Sequence, residues 1–171
     1  IWALIIAINE YYGGVKPLSG CINDGRLMEE YITKDLGVPQ EHVRCLFNEK
    51  ATRAGILRGL SDFYTDARIH QGDIIIIYFA GHGASYCCTN HYENEFGERV
   101  KPQQPDIPRR CCPVEAICPV DRGDCNPQYP SGRVPDIADR EINAHLSRLS
   151  QAKGHRITVI FDCCHSGGAT R

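Results

Sequence analysis

The chain has 171 residues, 42% of them hydrophobic and 23% charged, with a formal net charge of -2. That length suits one domain with a real core, and the composition is that of an ordinary globular protein. Lys and Arg are scattered along a nearly neutral chain, so neither nucleic acid nor an anionic membrane surface is an implied partner.

Ile1-Trp2-Ala3-Leu4-Ile5-Ile6-Ala7-Ile8 is apolar but too short to span a bilayer, and it lacks a basic leader and a cleavage site. It predicts a first buried strand over 2–8. Residues 22–36 predict a helix, with Ile22, Met28, Ile32 and Leu36 as a partial apolar stripe, ended by Gly37-Val38-Pro39. Residues 43–47 predict a second strand. A helix over 52–66 follows, with Thr52 as its cap and Ile56, Leu57, Leu60 and Phe63 along one face. Residues 73–80 predict a third strand, 138–150 a helix with Ile142, Leu146 and Leu149 inward, and 156–162 a fourth strand. Strands alternating with helices imply an α/β fold with parallel pairing and right-handed crossovers.

Residues 84–136 break that rhythm. They hold most of the prolines and six of the ten cysteines, with Val114 to Val120 as the one short extended piece. A long irregular loop inside one domain spanning 1–171 is the expectation, bordering a cleft because it leaves the end of the third strand. Ten cysteines raise the alternative of a secreted disulfide scaffold, but a chain with long apolar strands does not need such staples. A reducing, cytoplasmic setting is expected.

Two motifs end apolar runs: Gly81-His82-Gly83 after 73–80, and Asp162-Cys163-Cys164-His165-Ser166-Gly167 after 156–161. The carboxyl ends of parallel strands share one sheet edge, where open α/β sheets bind ligands. A thiol needs a base to become a thiolate, and imidazole is the usual one. The pairing suggests a cysteine–histidine hydrolase.

With two further segments the chain resembles the metacaspases, among the caspase-like peptidases of clan CD. The four segments are Leu18-Ser19-Gly20-Cys21-Ile22-Asn23-Asp24, Tyr78-Phe79-Ala80-Gly81-His82-Gly83, Glu115-Ala116-Ile117-Cys118-Pro119-Val120-Asp121, and Phe161-Asp162-Cys163-Cys164-His165-Ser166-Gly167. The resemblance implies a caspase-like three-layer α/β/α sandwich with a mainly parallel sheet. It further implies a thiol endopeptidase with a His82/Cys164 dyad, in which His82 is general base and then general acid. The backbone amides of Gly83 and Cys164 would form the oxyanion hole. Asp24 and Asp162 stand where specificity is set, and two carboxylates suit a guanidinium, so protein or peptide substrates with Arg or Lys before the scissile bond are expected.

Three positions depart from the family's usual pattern. Ala80 stands where Ser is common, Gly25 where Ala is usual, and the calcium-binding aspartates are replaced: one pair reads Asp139-Arg140, while two other acidic positions fall at Val114 and near Arg171. Calcium needs several anionic oxygens, so its site is expected to be absent. Cys87, Cys88, His91, Cys111, Cys112, Cys118 and Cys125 could supply zinc, yet lack paired Cys-x-x-Cys knuckles; thiols without metal are the expectation. Asp24 could instead cap its helix, and Asp162 could merely fix its turn. The rival functions are a catalytically silent caspase-like signalling or assembly domain, and a thiol redox or metal-binding module. The chain reads as a piece of a longer protein, with further strands, and possible fused regulatory domains, outside it, and is expected to be weakly active or inactive alone.

Overall fold

The computed structural model describes residues 1–87 and 113–163. Its centre is β1 (Trp2–Ala7), every residue of which is buried. A strand buried on both faces reads as a continuous apolar run, as this one does. Beside it lie β2 (Val43–Phe47), β3 (Ile75–Ala80) and β7 (Ile157–Asp162), in the order β2-β1-β3-β7 and all parallel.

The chain runs outward from β1 to β2 through α1 (Cys21–Glu30) and back across β1 to β3 through α2 (Arg53–Thr65). Opposite directions of travel with right-handed crossovers put the two helices on opposite faces. Cys21, Ile22, Met28 and Ile32 accordingly pack with Ala3, Ile5, Ala7 and Tyr78 on one side. Ile56, Leu60 and Phe63 join Leu4, Ile6 and Phe79 on the other, together with Ile142 and Leu149 of α3 (Asp139–Lys153). The result is the three-layer α/β/α arrangement expected. Because the direction reverses between β1 and β3, their carboxyl ends form a topological switch point.

Gly25 explains how closely α1 lies on the sheet. A Cβ there would come 2.8 Å from Ala7 Cβ and 3.1 Å from the Phe47 ring. Thr52 caps α2 as expected, its Oγ1 accepting the Gly55 N–H at 3.0 Å. A second acceptor comes from far away in sequence: Asp121 Oδ1 takes the Arg53 N–H at 2.8 Å. The conspicuous Asp121 of the third segment thus ties the loop after β5 to a helix start.

Two expectations need correction. The helix over 22–36 passes into a π turn at Tyr31–Asp35, where the Leu36 N–H reaches back to the Tyr31 carbonyl. The wider turn takes Leu36 off the buried stripe, and it is 42% exposed while Ile32 is fully covered. The stretch 84–136, read as an irregular loop, is regular at its ends. β4 (Gly83–Cys87) pairs antiparallel with β5 (Pro113–Ile117), which pairs antiparallel with β6 (Ile137–Ala138). Short strands of small and polar residues such as Gly83-Ala84-Ser85 carry little periodic signal, and their partner is remote in sequence. Ile117, Cys118, Val120 and Ile137 of this sheet and its loops join the core beneath α2 and α3.

Candidate active site

At the switch point, the segment after β1 folds over the end of β3. Its start is fixed by Ile8, whose N–H donates to the Ala80 carbonyl at 2.9 Å. Asn48, with φ of 42°, turns its amide oxygen toward the segment and accepts the N–H groups of Asn9 at 2.9 Å and Glu10 at 3.3 Å. Asn is among the few residue types that tolerate this left-handed backbone. Asn9 passes the order on. Its Oδ1 accepts the Ile22 N–H in the first turn of α1 at 3.2 Å, and its carbonyl accepts the Leu18 N–H at 2.8 Å. Tyr12 N–H is tied to the Val120 carbonyl at 2.9 Å.

His82 sits inside this cradle and is held at three points. Its backbone N–H donates to Tyr11 Oη at 2.7 Å. Its carbonyl accepts the Cys118 N–H at 3.0 Å. Its ring Nε2 lies 2.7 Å from the Lys16 carbonyl. A carbonyl only accepts, so Nε2 carries the proton there, and in the neutral ring Nδ1 keeps its lone pair. The Tyr11 ring lies 4.9 Å from the imidazole at 48°. Burial pushes the Tyr11 hydroxyl well above the usual phenol range, so it stays neutral. The His82–Cys118 bond makes Gly83 and Ile117 a non-hydrogen-bonded pair of the β4–β5 ladder, with the Gly83 N–H turned away from β5.

On the α1 side of the sheet lies a cluster of acids. Asp162, exposed at the end of β7, is in register with Ala80 and accepts the Tyr78 hydroxyl at 3.3 Å. Asp24, half-buried in the first turn of α1, does not cap it; Gly20 occupies the cap position. Burial first, then the Asp162 and Asp24 carboxylates, push Tyr78 up to about 12 and raise the Cys21 thiol. The two acids therefore share one neighbourhood with a phenol and a thiol that both stay protonated. Ala80, whose methyl stands in place of the hydroxyl that the Ala-for-Ser departure removes, is fully buried.

Cys164 lies outside the described residues, as do Cys88, His91, Cys111, Cys112 and Arg171. Cys163, the last residue described, packs partly buried against the main core. Among the described residues no three His, Cys, Asp or Glu side chains gather as metal ligands, and no helix is long and apolar enough to cross a membrane. Val114 is buried within β5, and the Asp139 carboxylate accepts the N–H of its neighbour Arg140 at 2.7 Å.

Sequence reasoning missed Tyr11, the Lys16 carbonyl, Asn48 and Tyr78. The signals were faint: an aromatic just past the first strand, and Asn at two strand ends. A backbone carbonyl leaves no mark in side-chain chemistry.

The family model for the metacaspase, peptidase C14 domain matches residues 2–170. Metacaspase-1 of Ajellomyces capsulatus is 30% identical over 98% of this chain, which covers 40% of that relative's length. Metacaspase-1B of Neurospora crassa is 31% identical over 98% of the chain, which covers 34% of its length. The chain thus spans well under half of these relatives. The crystal structure of a Geobacter sulfurreducens protein matches 97% of the chain and 51% of its own, with 25% identity and a TM-score of 0.65. A parallel sheet flanked by helices on both faces, a histidine cradled at its switch point and a family match along almost the whole length lead to one conclusion: the chain belongs to the metacaspase family, peptidase C14 domain.

Proposed function

We propose that this chain carries the catalytic dyad of a cysteine-type endopeptidase that cleaves after Arg or Lys. The observation that carries the reading is the Lys16 carbonyl on His82 Nε2, which leaves Nδ1 as the ring's proton acceptor at the carboxyl-end edge of the sheet where β7 also ends. In this reading His82 Nδ1 takes the Cys164 thiol proton as Sγ attacks the substrate carbonyl carbon. The carbonyl π electrons move onto oxygen, which the N–H groups of Gly83 and Cys164 stabilise. Collapse of that intermediate breaks the peptide C–N bond, and His82 gives its proton to the leaving amine. A water, deprotonated by the same nitrogen, then hydrolyses the thioester and restores the thiol. The core packing of Cys163 supports assigning the nucleophile to Cys164, because a thiol packed against the core is the less accessible of the two to a substrate.

Asp24 and Asp162 would take the guanidinium or ammonium of the substrate, with Tyr78 orienting the second carboxylate. Cys21, kept protonated by burial and both acids, would not compete as a nucleophile. The calcium-independent reading is supported by buried Val114 and by the Arg140 that follows Asp139. Thiols without zinc and a reducing, cytoplasmic compartment belong to the same proposal. The test is hydrolysis by the full-length protein of fluorogenic peptides ending in Arg, Lys or Asp, with calcium or chelator, against Cys164→Ala. Cleavage after Arg or Lys, lost in the variant and indifferent to calcium, is the expected result. Cleavage after Asp would overturn the roles of Asp24 and Asp162; no cleavage by a folded, fully processed protein would favour the silent scaffold.

A further inference from the structure

We infer that Tyr11 is a positioning residue for His82, setting the register of its backbone and the tilt of its ring from the far side of the switch point. The inference rests on the reading of His82 as the proton-transfer group. Three observations carry it.

First, the Tyr11 hydroxyl is the acceptor for the His82 N–H, at 2.7 Å, although Tyr11 belongs to the segment after β1 and His82 follows β3. A neutral phenol bonded to a main-chain amide can fix that amide's position without exchanging a proton with the site. Second, the phenol ring itself lies against the imidazole, 4.9 Å away and tilted by 48°. One side chain therefore restrains both the backbone and the ring of the same histidine. Tyr11 is only 9% exposed, and the next residue is pinned through Tyr12 N–H to Val120, so the phenol has little freedom to drift. Third, Gly81 is shaped around it. A Cβ on Gly81 would stand 2.7 Å from Tyr11 Oη and 2.9 Å from the Phe79 ring. The first glycine of Gly81-His82-Gly83 is thus required here by the position of the Tyr11 hydroxyl, which joins two features that nothing in the sequence connects.

Tyr11 and Lys16 act on the histidine from one segment. The hydroxyl fixes where the residue starts, and the Lys16 carbonyl fixes which ring nitrogen carries the proton. When the hydroxyl is removed, the His82 N–H loses its acceptor and the ring loses its registration against Lys16. Misplacement of a reacting group by a fraction of an ångström to an ångström costs roughly ten- to a hundredfold in rate. The loss falls on the chemical step, because what Tyr11 holds is the backbone and ring of the proton-transfer residue, whereas the hydroxyl bonded to Asp162 is that of Tyr78.

The test uses full-length protein labelled with 15N-histidine, the His82 signals being identified by their loss in His82→Gln. In the unmutated protein the ring should be the tautomer protonated at Nε2. In Tyr11→Phe the expected result is a mixed tautomer population, with kcat lowered roughly ten- to a hundredfold and KM within about twofold. Gly81→Ala, which pushes the hydroxyl off the same amide, should reproduce both changes. The double variant should be no worse than the worse single, since both break one bond. A pure Nε2–H tautomer in Tyr11→Phe, an unchanged kcat, or multiplicative losses in the double variant would each overturn the inference. Absence of Cys164-dependent cleavage in the unmutated protein would instead overturn the peptidase reading, and the tautomer would still decide the role of Tyr11.

Discussion

Replacing Asp162 by Asn removes one negative charge from beside Tyr78 and Cys21 while leaving an oxygen to accept the Tyr78 hydroxyl. The change is therefore nearly isosteric, and its effect isolates the charge. A hydrogen bond to a charged group contributes about 1.5–3 kcal/mol and a neutral one about 0.5–1.5 kcal/mol, so the difference is about 1–2 kcal/mol. Asp162 is exposed in this structure, which keeps the effect at the lower part of that range. In kcat/KM for an Arg substrate this corresponds to a fall of roughly 5- to 10-fold. Asp24→Asn should cost a similar factor, because both carboxylates act on the same neighbours, Tyr78 and Cys21. The assay compares kcat/KM for peptides ending in Arg with peptides ending in the uncharged isostere citrulline. The charge argument requires the Arg peptide to lose and the citrulline peptide to hold. An equal fall for both would refute it, since a general distortion of the end of β7 does not discriminate by charge.

Two further predictions concern the frame. Thr52→Ala should cost about 1 kcal/mol of stability, and Asp121→Ala a comparable amount through the Arg53 N–H it leaves without its acceptor, both read as lowered urea midpoints. An unchanged midpoint for Asp121→Ala would show that the loop after β5 does not brace α2. The alkaline limb should also be steep. Burial and then Glu29 push Cys45 up to about 12 from 9.0, and Tyr78 and Tyr86 rise to about 12 from 10.0, by burial and then by nearby acids. Between those values the folded state holds more protons than the unfolded one, so stability is fully present below about pH 9 and is lost as pH rises toward about 12. Urea midpoints at pH 7, 9, 10 and 11 should show that fall. Iodoacetamide at pH 9 should alkylate Cys45 far more slowly than exposed Cys125, and equal rates would contradict the shift.

Much of the fold was legible because its strands are apolar on both faces. Trp2 to Ala7 and Ile75 to Ala80 could only be interior strands, and the helices between them could only lie on the sheet. The cap at Thr52 was legible because capping is local. The π turn at Tyr31–Asp35 was not, because it arises from how the end of α1 meets the loop before β2, with Val38 N–H reaching back to the Ile32 carbonyl. Strands β4 and β6 were hidden for a related reason: β4 pairs with a partner across an intervening 25 residues and β6 is two residues long. At the site, His82, Asp24 and Asp162 stood out by motif. Their supports did not, because the Lys16 carbonyl has no side-chain signature, and the reach of Tyr11 and Asn48 depends on the order of β2, β1 and β3.

The central claim is that Cys164 is a thiol nucleophile served by His82. The most direct measurement is labelling of the full-length protein with a peptidyl-arginine chloromethyl ketone, followed by peptide mass spectrometry of the adduct. The account predicts alkylation at Cys164, absent in His82→Ala and suppressed in Asp24→Asn/Asp162→Asn. Modification at Cys163 or Cys21 in its place, or labelling of Cys164 that does not depend on His82, would contradict it.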